Sequence, residues 1–528
     1  MPEYLAPGTY VEEVRSAVVP IQGVGTSTAG FVGLTERGPA EPMLITSMPE
    51  FQRWYGDLLT PAQSVLPWSV HGFFANGGSR VFIARVTRDD AAAATLALGG
   101  LTISAHGKGE WGNRVRVWVR KSLKDPDHRF RLTVAYLGAG VTAETDPLKL
   151  LGQPTAVVED YDGLSPDPKD SRYVVGAVNS ASHLVSLTVT GTVTKPAESA
   201  GFTVLAGGGD GSTDLTAEQF TGPADAPADR RTGLAALAAI DEIAILAVPD
   251  AVNDQVLADP GDRAAVVGAV IGQCELLRDR FAVLDIPPGH GNLGAELATD
   301  AGAILPDRSQ FAAIYYPHVR VFDPRSRTTF LIPPSGFVAG IYAFNDVTRG
   351  VHKAPANYGV RGILSTDLSP TEGPLEFTVT KGQQDILNPL GVNALRDFRG
   401  SGQGIRVWGA RTLSADPEWI YVNIRRLFNF VEESVDEGLQ WTVFEPNAEP
   451  TWDRVRRTVS TFLERVWRDG ALSGTKREEA FFVRCDRTTM STDDILNGRL
   501  ICLVGLAAVR PAEFVVLRFS QFTVESGN

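Results

Sequence analysis

Residues 404–446 read GIRVWGARTLSADPEWIYVNIRRLFNFVEESVDEGLQWTVFEP. Asp416-Pro417 has the form of a helix opening, since a short carboxylate can cap free N–H groups and proline is pre-set for the first helical position. Apolar residues then recur at Ile420, Ile424, Leu427, Phe428, Val431 and Val435. That is one face of a 3.6-residue period, and Gly438 supplies a left-handed stop. An amphipathic helix is expected here, followed by a short strand over 440–445.

The opposite face carries Glu432, Glu433, Asp436 and Glu437 at the C-terminal end. The helix dipole already places partial negative charge there, so basic groups are expected nearby. A second helix over 451–469 buries Trp452, Val455, Val459, Phe462, Leu463 and Val466 and exposes Arg454, Arg456, Arg457, Arg465 and Arg468. Two readings stand for these charges: salt bridges within the chain, or charged faces that meet another subunit, with Arg454, Arg457 and Arg465 as contact candidates. FFVRCD, a short helix near Thr492 and two β-type runs, 500–509 and 513–522, complete the chain. A strand at the terminus can pair with its own sheet or with a neighbour's exposed edge.

VWGARTLSADPEWIYVNIRRLFNFVEESVDEGLQWTVFEPN, continuing to AFFVRCDRTTMSTDDILNGRL and PAEFVVLRFSQ, resembles the C-terminal domain of contractile phage-tail sheath proteins, above all those of phage-tail-like contractile injection systems. APGTYVEEVRSAVVPIQGVGTSTAGFVGLTERGP resembles the same family's opening. The resemblance implies a subtilisin-like α/β core, an insertion pointing outward, and terminal arms that complete neighbouring subunits' sheets. On that basis Tyr10, Val11, Glu12, Glu13 and Val14 at one end, and Phe514, Val515, Val516, Leu517 and Phe519 at the other, are the expected inter-subunit contacts. The implied partners are further copies of the chain in stacked hexameric rings, an inner tube protein, a baseplate and a terminator or cap protein.

Bulk properties fit that expectation. A chain of 528 residues is too long for one ordinary core. Its 43% hydrophobic and 21% charged content are globular. A net charge of −13 argues against general nucleic-acid binding and suits a self-repelling subunit that associates only through specific contacts. Cys274, Cys485 and Cys502 are widely spaced, without a disulfide framework or zinc pattern. MPEYLAPGTY lacks signal-peptide character and no apolar run reaches membrane-spanning length, so no membrane insertion is expected. Assembly in a reducing bacterial cytoplasm, with release by lysis as part of a particle, follows.

Along the chain, 1–20 reads as an extended arm. Residues 21–90 and 229–360 alternate continuous apolar strands such as FAVLDIP and FAAIYYPHV with helices such as DRAAVVGAVIGQCELLRDR. That pattern means a parallel sheet covered on both faces. Residues 91–228 give strand after strand, RYVVGAV among them, and read as an inserted β-rich outer domain. Residues 361–528 form the C-terminal assembly domain.

The chemical motifs are weak. Gly289–Gly294 matches GxGxxG, but the next strand ends in Tyr316-Pro317-His318 where a ribose-binding carboxylate should stand, so a plain tight turn is preferred and no cofactor is expected. Gly25-Thr26-Ser27-Thr28-Ala29 has the look of a subtilisin nucleophile segment, yet no His or Asp precedes it. Asp285, His290 and Ser335 could be imagined as a triad. The run Gly207–Gly209 with Asp210 reads as a flexible junction, not a calcium loop. A non-enzymatic contractile sheath subunit is the expected function. A phage virion sheath, a subtilisin-like hydrolase and a static tube are the alternatives.

Overall fold

The computed structural model describes residues 20–138, 156–364, 372–516 and 518. The chain divides into two compact units, residues 25–426 and residues 1–24 with 427–528.

The larger unit opens with β1 (Ala29–Gly33), β2 (Met43–Ile45) and β3 (Val81–Arg85). The chain then builds β4 (Thr95–Leu98), β5 (Leu101–Ala105), β6 (Val115–Lys121), β7 (Phe130–Leu137), β8 (Ala156–Leu164), β9 (Val185–Val189) and β10 (Thr203–Val204). It returns with β11 (Ile245–Ala247), β12 (Phe281–Asp285), β13 (Ala312–Tyr316), the hairpin β14 (Val319–Asp323) and β15 (Thr328–Ile332), then β16 (Val392–Asp397) and β17 (Ile405–Val407). Eight of these make one sheet in the order β17-β16-β13-β12-β11-β1-β3-β2. The six inner strands are parallel, and β2 and β17 are antiparallel edges.

Period-two alternation sorts this sheet's side chains into two cores. Phe31, Ile83, Ala247, Phe281, Val283 and Tyr315 point to one face, with Phe73 and Phe337 from helices Leu66–Ala75 and Ser335–Arg349. Val32, Ala84, Leu246, Ala282, Leu284 and Ile314 point to the other, with Val266, Val270 and Cys274 of helix Pro260–Leu277. Because both faces are covered, the strands read as unbroken apolar runs, as the sequence led one to expect. The two helices on the first face touch backbone to backbone: a Cβ on Gly336 or Gly340 would lie 2.4 Å from the carbonyl oxygen of Ser69 or Phe73.

Strands β4 to β10 form a four-stranded sheet, β10-β6-β7-β8, and a three-stranded one, β4-β5-β9. Their inner faces share one core, with Val115, Val117, Leu132 and Val134 against Ile103, Ala105, Val185 and Leu187. Two expectations fail here. RYVVGAV is not a strand, because Val174–Asn179 is a helix that buries Val174 and Val178, one turn apart. Asn179 ties its end to β9 by bonding both the N–H and the carbonyl of Leu187, so tertiary bonding overrides the β-branched run. Gly207–Gly209 is not a loose junction either. Gly209 bridges Ala92, Gly208 exchanges two bonds with Asn113, and Asp210 accepts from the Glu110 N–H.

The smaller unit contains most of helix Val422–Leu439, the helix Glu449–Arg468, and the antiparallel pair β18 (Phe481–Arg484) and β19 (Leu503–Leu506). Helix Val422–Leu439 starts later than Asp416-Pro417 suggests. Asp416 spends its carboxylate on the Glu418 N–H and its carbonyl on the Trp419 N–H, closing a turn, and Ile420 stays outside the helix. Gly438 is not a stop: it lies inside the helix, where a Cβ would sit 2.5 Å from Ile21. Space, not a left-handed φ, requires glycine there. Residues 440–445 form a 3-10 turn at Gln440–Thr442 instead of a strand. The second helix and its buried residues Trp452, Val455, Val459, Phe462, Leu463 and Val466 are as read from the sequence.

Candidate assembly site

The C-terminal ends of parallel strands are where α/β sheets commonly bind ligands. Here two of them are occupied by the protein's own carboxylates. Asp250, just beyond β11, accepts from the Val65 N–H at 2.7 Å, the Ser64 hydroxyl at 2.7 Å and the Leu34 N–H at 3.1 Å. Asp285, at the end of β12, accepts from the Ser335 N–H at 2.7 Å and so caps helix Ser335–Arg349. Both are buried, and burial pushes their carboxyls up, to about 6 for Asp250 and about 7 for Asp285. No triad forms from Asp285, His290 and Ser335. His290 instead bonds Glu296 through Nδ1, and Asp285 holds a backbone N–H of Ser335. The Gly289 loop is a turn, with Gly289 at φ +93 and the His290 carbonyl accepting from the Tyr316 hydroxyl at 2.6 Å.

The smaller unit is open by comparison. Its β18–β19 sheet has two strands among the described residues, and large apolar side chains stand at its surface: Phe482 and Leu503 are each 49% exposed. Beside it lies a groove of about 740 Å³, walled by Arg456, Arg457 and Glu464 of helix Glu449–Arg468 and by Arg477, Phe482 and Arg484. The four arginines give the groove a basic character that Glu464 and Glu478 only partly offset. Arg456 pairs with Asp453 at 2.6 Å and Arg468 with Glu464 at 2.5 Å, each along its own helix. Arg457 bonds the Asp453 carbonyl at 3.2 Å, while Arg465 is exposed. Arg454 lies flat on Trp441, its guanidinium carbon 3.8 Å from the ring centre. Of the acidic set, Glu432, Asp436 and Glu437 are exposed and Glu433 is half-buried.

Pairing beyond β19 continues through the bridge of Leu472 with Ala508 and the bond from the Val509 N–H to the Ala471 carbonyl. Pro511 then removes a donor, and residues 513–516 form no strand, contrary to expectation. Phe514, Val515 and Val516 are 73%, 77% and 75% exposed. Leu517 and Phe519, like Tyr10, Val11, Glu12, Glu13 and Val14, lie outside the described residues.

The periodic reading missed one docking feature at the other end of the chain. Residues 21–24 lie along the last turns of helix Val422–Leu439: Ile21 meets Gly438, Gly23 meets Phe430, and the Val24 N–H donates to the Ser434 hydroxyl at 3.0 Å. Small residues four apart, Ser434 and Gly438, are the signal that could have revealed this groove.

Comparison with known proteins gives this geometry a family. Residues 228–413 match the phage tail sheath protein central domain and residues 414–522 the phage tail sheath C-terminal domain. A putative prophage major tail sheath protein of Pseudomonas aeruginosa is 28% identical over 266 residues, 49% of this chain and 62% of that protein. The tail sheath protein of Burkholderia phage BcepMu is 30% identical over 167 residues, 30% of this chain and 33% of that protein. The matched stretches thus cover less than two thirds of either relative. Among solved structures, the sheath of an extracellular contractile injection system, PVC, in its contracted state matches over 99% of both chains, with a TM-score of 0.57 and 24% identity. The contracted helical sheath of the anti-feeding prophage matches over 98% of this chain and all of that one, with a TM-score of 0.57 and 25% identity. With two consecutive family domains running over more than half its length, the chain belongs to the phage tail sheath family of structural proteins.

Proposed function

We propose that the chain is the subunit of a contractile sheath. Copies polymerise as stacked hexameric rings around an inner tube protein, between a baseplate and a cap, in a long metastable form. On triggering, the polymer shortens and drives the tube through a target envelope. The observation that carries this reading is the match, over 99% of both chains, to a sheath subunit in its contracted state. In this reading residues 21–90 and 229–360 are a subtilisin-like core, 91–228 an outward insertion, and 361–528 the assembly domain. The particle is assembled in the bacterial cytoplasm and acts outside after lysis. The likeness to phage and prophage tail sheaths supports a second reading, a sheath beneath a DNA-filled head. Capsid and terminase genes beside this one would favour it.

Energy in such a polymer is stored in interfaces. Heterologous contacts that do not close on themselves build helical filaments. An extended segment can add to a sheet edge through main-chain hydrogen bonds that tolerate rigid-body rotation. The exposed β18–β19 sheet and the exposed Phe514, Val515 and Val516 suit that exchange, with Tyr10, Val11, Glu12, Glu13 and Val14, and Leu517 and Phe519, as the remaining arm contacts. Arg454, Arg457 and Arg465, with Glu432, Glu433, Asp436 and Glu437, are the charged contacts to tube or neighbour.

Electron microscopy of the purified chain tests this directly. Tubes are expected from the full sequence. Deleting residues 1–20 should leave a folded subunit that forms none, and the Arg457→Glu/Arg465→Glu double variant should assemble poorly. Normal tubes from the deletion variant would remove the arm mechanism.

A further inference from the structure

Cys485 follows β18 directly and Cys502 immediately precedes β19. The register of that pair, Val483 opposite Val504 and Arg484 opposite Leu503, sets the two cysteines across from each other one step beyond the last paired residues. Opposed residues on antiparallel strands have Cα atoms about 4.5–5.5 Å apart, within the roughly 4.4–6.8 Å that a disulfide spans. Both thiols are unbridged.

The 16 residues between them, 486–501, form a self-contained excursion whose ends already meet. Asp486 closes a turn by accepting from the N–H and hydroxyl of Thr488. Ser491 caps the short helix Thr492–Leu496. Arg499 reaches back to Asp493 and Asp494, and the Thr489 hydroxyl donates to the Ile501 carbonyl at 2.9 Å. A bond across the base of this excursion needs no rearrangement of it.

We propose that Cys485 and Cys502 are a reversible disulfide site that staples β18 to β19. The two sulfurs are not equivalent. The neighbouring thiol draws the Cys502 thiol below its usual range and, together with burial, pushes the Cys485 thiol up. Cys502 is also the less buried of the two, so it is the attacking group. With a low-molecular-weight disulfide such as oxidised glutathione as oxidant, the Cys502 thiolate attacks one glutathione sulfur and expels the other as a thiolate. Cys485, deprotonated as it reacts, then attacks Cys502 Sγ and displaces the second glutathione thiolate. The protein loses two electrons and two protons, and the oxidant gains them as two thiols. Cys274, buried in helix Pro260–Leu277, has its thiol pushed up by burial and takes no part.

The test uses the full chain, reduced, freed of reductant and exposed to oxidised glutathione at neutral pH. Wild type and Cys274→Ser should lose two hydrogens by intact mass. After tryptic cleavage within the excursion, at Arg487 or Arg499, their fragments should stay joined on a non-reducing gel and separate on a reducing one. Cys485→Ser and Cys502→Ser should stop at dithiol or mixed glutathione disulfide, and Cys502→Ala, at the less buried position, keeps the test if the Cys485 variant does not fold. Amide exchange at residues 503–506 should slow roughly tenfold or more on oxidation in wild type and not in Cys502→Ala. A native wild type that keeps three titratable thiols or stops at the mixed disulfide overturns the site. Unchanged exchange after the bond has formed overturns its stapling role.

Discussion

Edge strand β17 of the larger unit and the strands β18 and β19 of the smaller one are treated in opposite ways. In the larger one, edge strand β17 is covered: the N–H of Val360 bonds the Ile405 carbonyl at 2.8 Å, that of Asn357 bonds the Val407 carbonyl at 2.7 Å, and Gly359 bridges Arg406. Its buried carboxylates Asp250 and Asp285 are bonded within the unit. In the smaller unit β18 and β19 have only each other among the described residues, and Phe482, Leu503, Phe514, Val515 and Val516 face solvent. An uncovered edge with apolar neighbours is a liability in a monomer and an asset in a subunit. A covered unit should fail by unfolding when altered, and an uncovered one by losing association.

The largest effect is therefore expected where the larger unit hides charge. Arg426 and Asp346 form a two-point pair, 2.7 and 3.0 Å, with side chains only 3% and 1% exposed. Arg426 also donates to the Thr26 carbonyl at 2.8 Å and lies over Tyr342. Arg426→Ala strands a buried carboxylate and should cost about 3–5 kcal/mol by denaturant titration, with part of the loss recovered on adding Asp346→Ala. Next comes Gly340→Ala, which drives a methyl into the Phe73 carbonyl and should cost roughly 1–3 kcal/mol. If either variant unfolds at the wild-type denaturant midpoint, the larger unit is not the tight body described.

Titration sharpens the contrast further. The folded carboxyl of Asp285 titrates at about 7, against an ordinary 3.8, because burial outweighs its bond to Ser335. Across that interval the native state binds more protons than the unfolded one, so stability falls as pH rises and levels off above about 7. Asp250 acts alike up to about 6. His318 opposes both lower down: burial lowers it from 6.5 to about 4, so its contribution grows with pH over that range. Of these three groups, only Asp285 has a folded value above about pH 6.5. Between about pH 6.5 and 7.5 the urea midpoint should therefore drop, and Asp285→Asn, which keeps an acceptor for the Ser335 N–H, should flatten the slope. A rising midpoint in wild type would mean that the carboxylate is stabilised by its bonds more than it is penalised by burial.

The same division governs what could be read from the sequence. The parallel sheet was legible because two-sided burial writes itself as unbroken apolar runs such as FAVLD and AAIYY. Helix Glu449–Arg468 was legible because a single apolar stripe writes itself with a 3.6-residue period. Features set by distant partners were not. Asp416-Pro417 makes as good a turn as a helix cap, and only the pairing of Tyr421 with Arg411 decides between them. Gly438 fits a stop as well as a contact, until Ile21 is seen against it. Polar residues of helix Val422–Leu439 carry no local sign of burial, yet Asn423, Arg425, Arg426 and Ser434 are buried. Arg425 lies over Phe311 and Trp419 at 4.7 and 4.6 Å, a placement that no local pattern encodes. Of the assembly site, the exposed arginines and the apolar terminal run were visible, but not how β18 and β19 share one small sheet.

The smallest effect on stability should come from the surface proposed to carry association. Phe482 is half-exposed on β18, with Gly505 opposite it: a Cβ on Gly505 would sit 2.1 Å from the Phe482 ring, so the ring lies over the strand pair and leaves its outer face to solvent. Phe482→Ser removes apolar surface that the isolated subunit covers only in part. The change in unfolding free energy should stay near or below about 1 kcal/mol, because exposed positions contribute little. Sedimentation should nevertheless show weaker self-association, since a partner strand laid on this sheet would cover the missing ring at roughly 25 cal/mol per Å². Loss of stability without loss of association would place Phe482 in the subunit's own core and make the smaller unit as closed as the larger one.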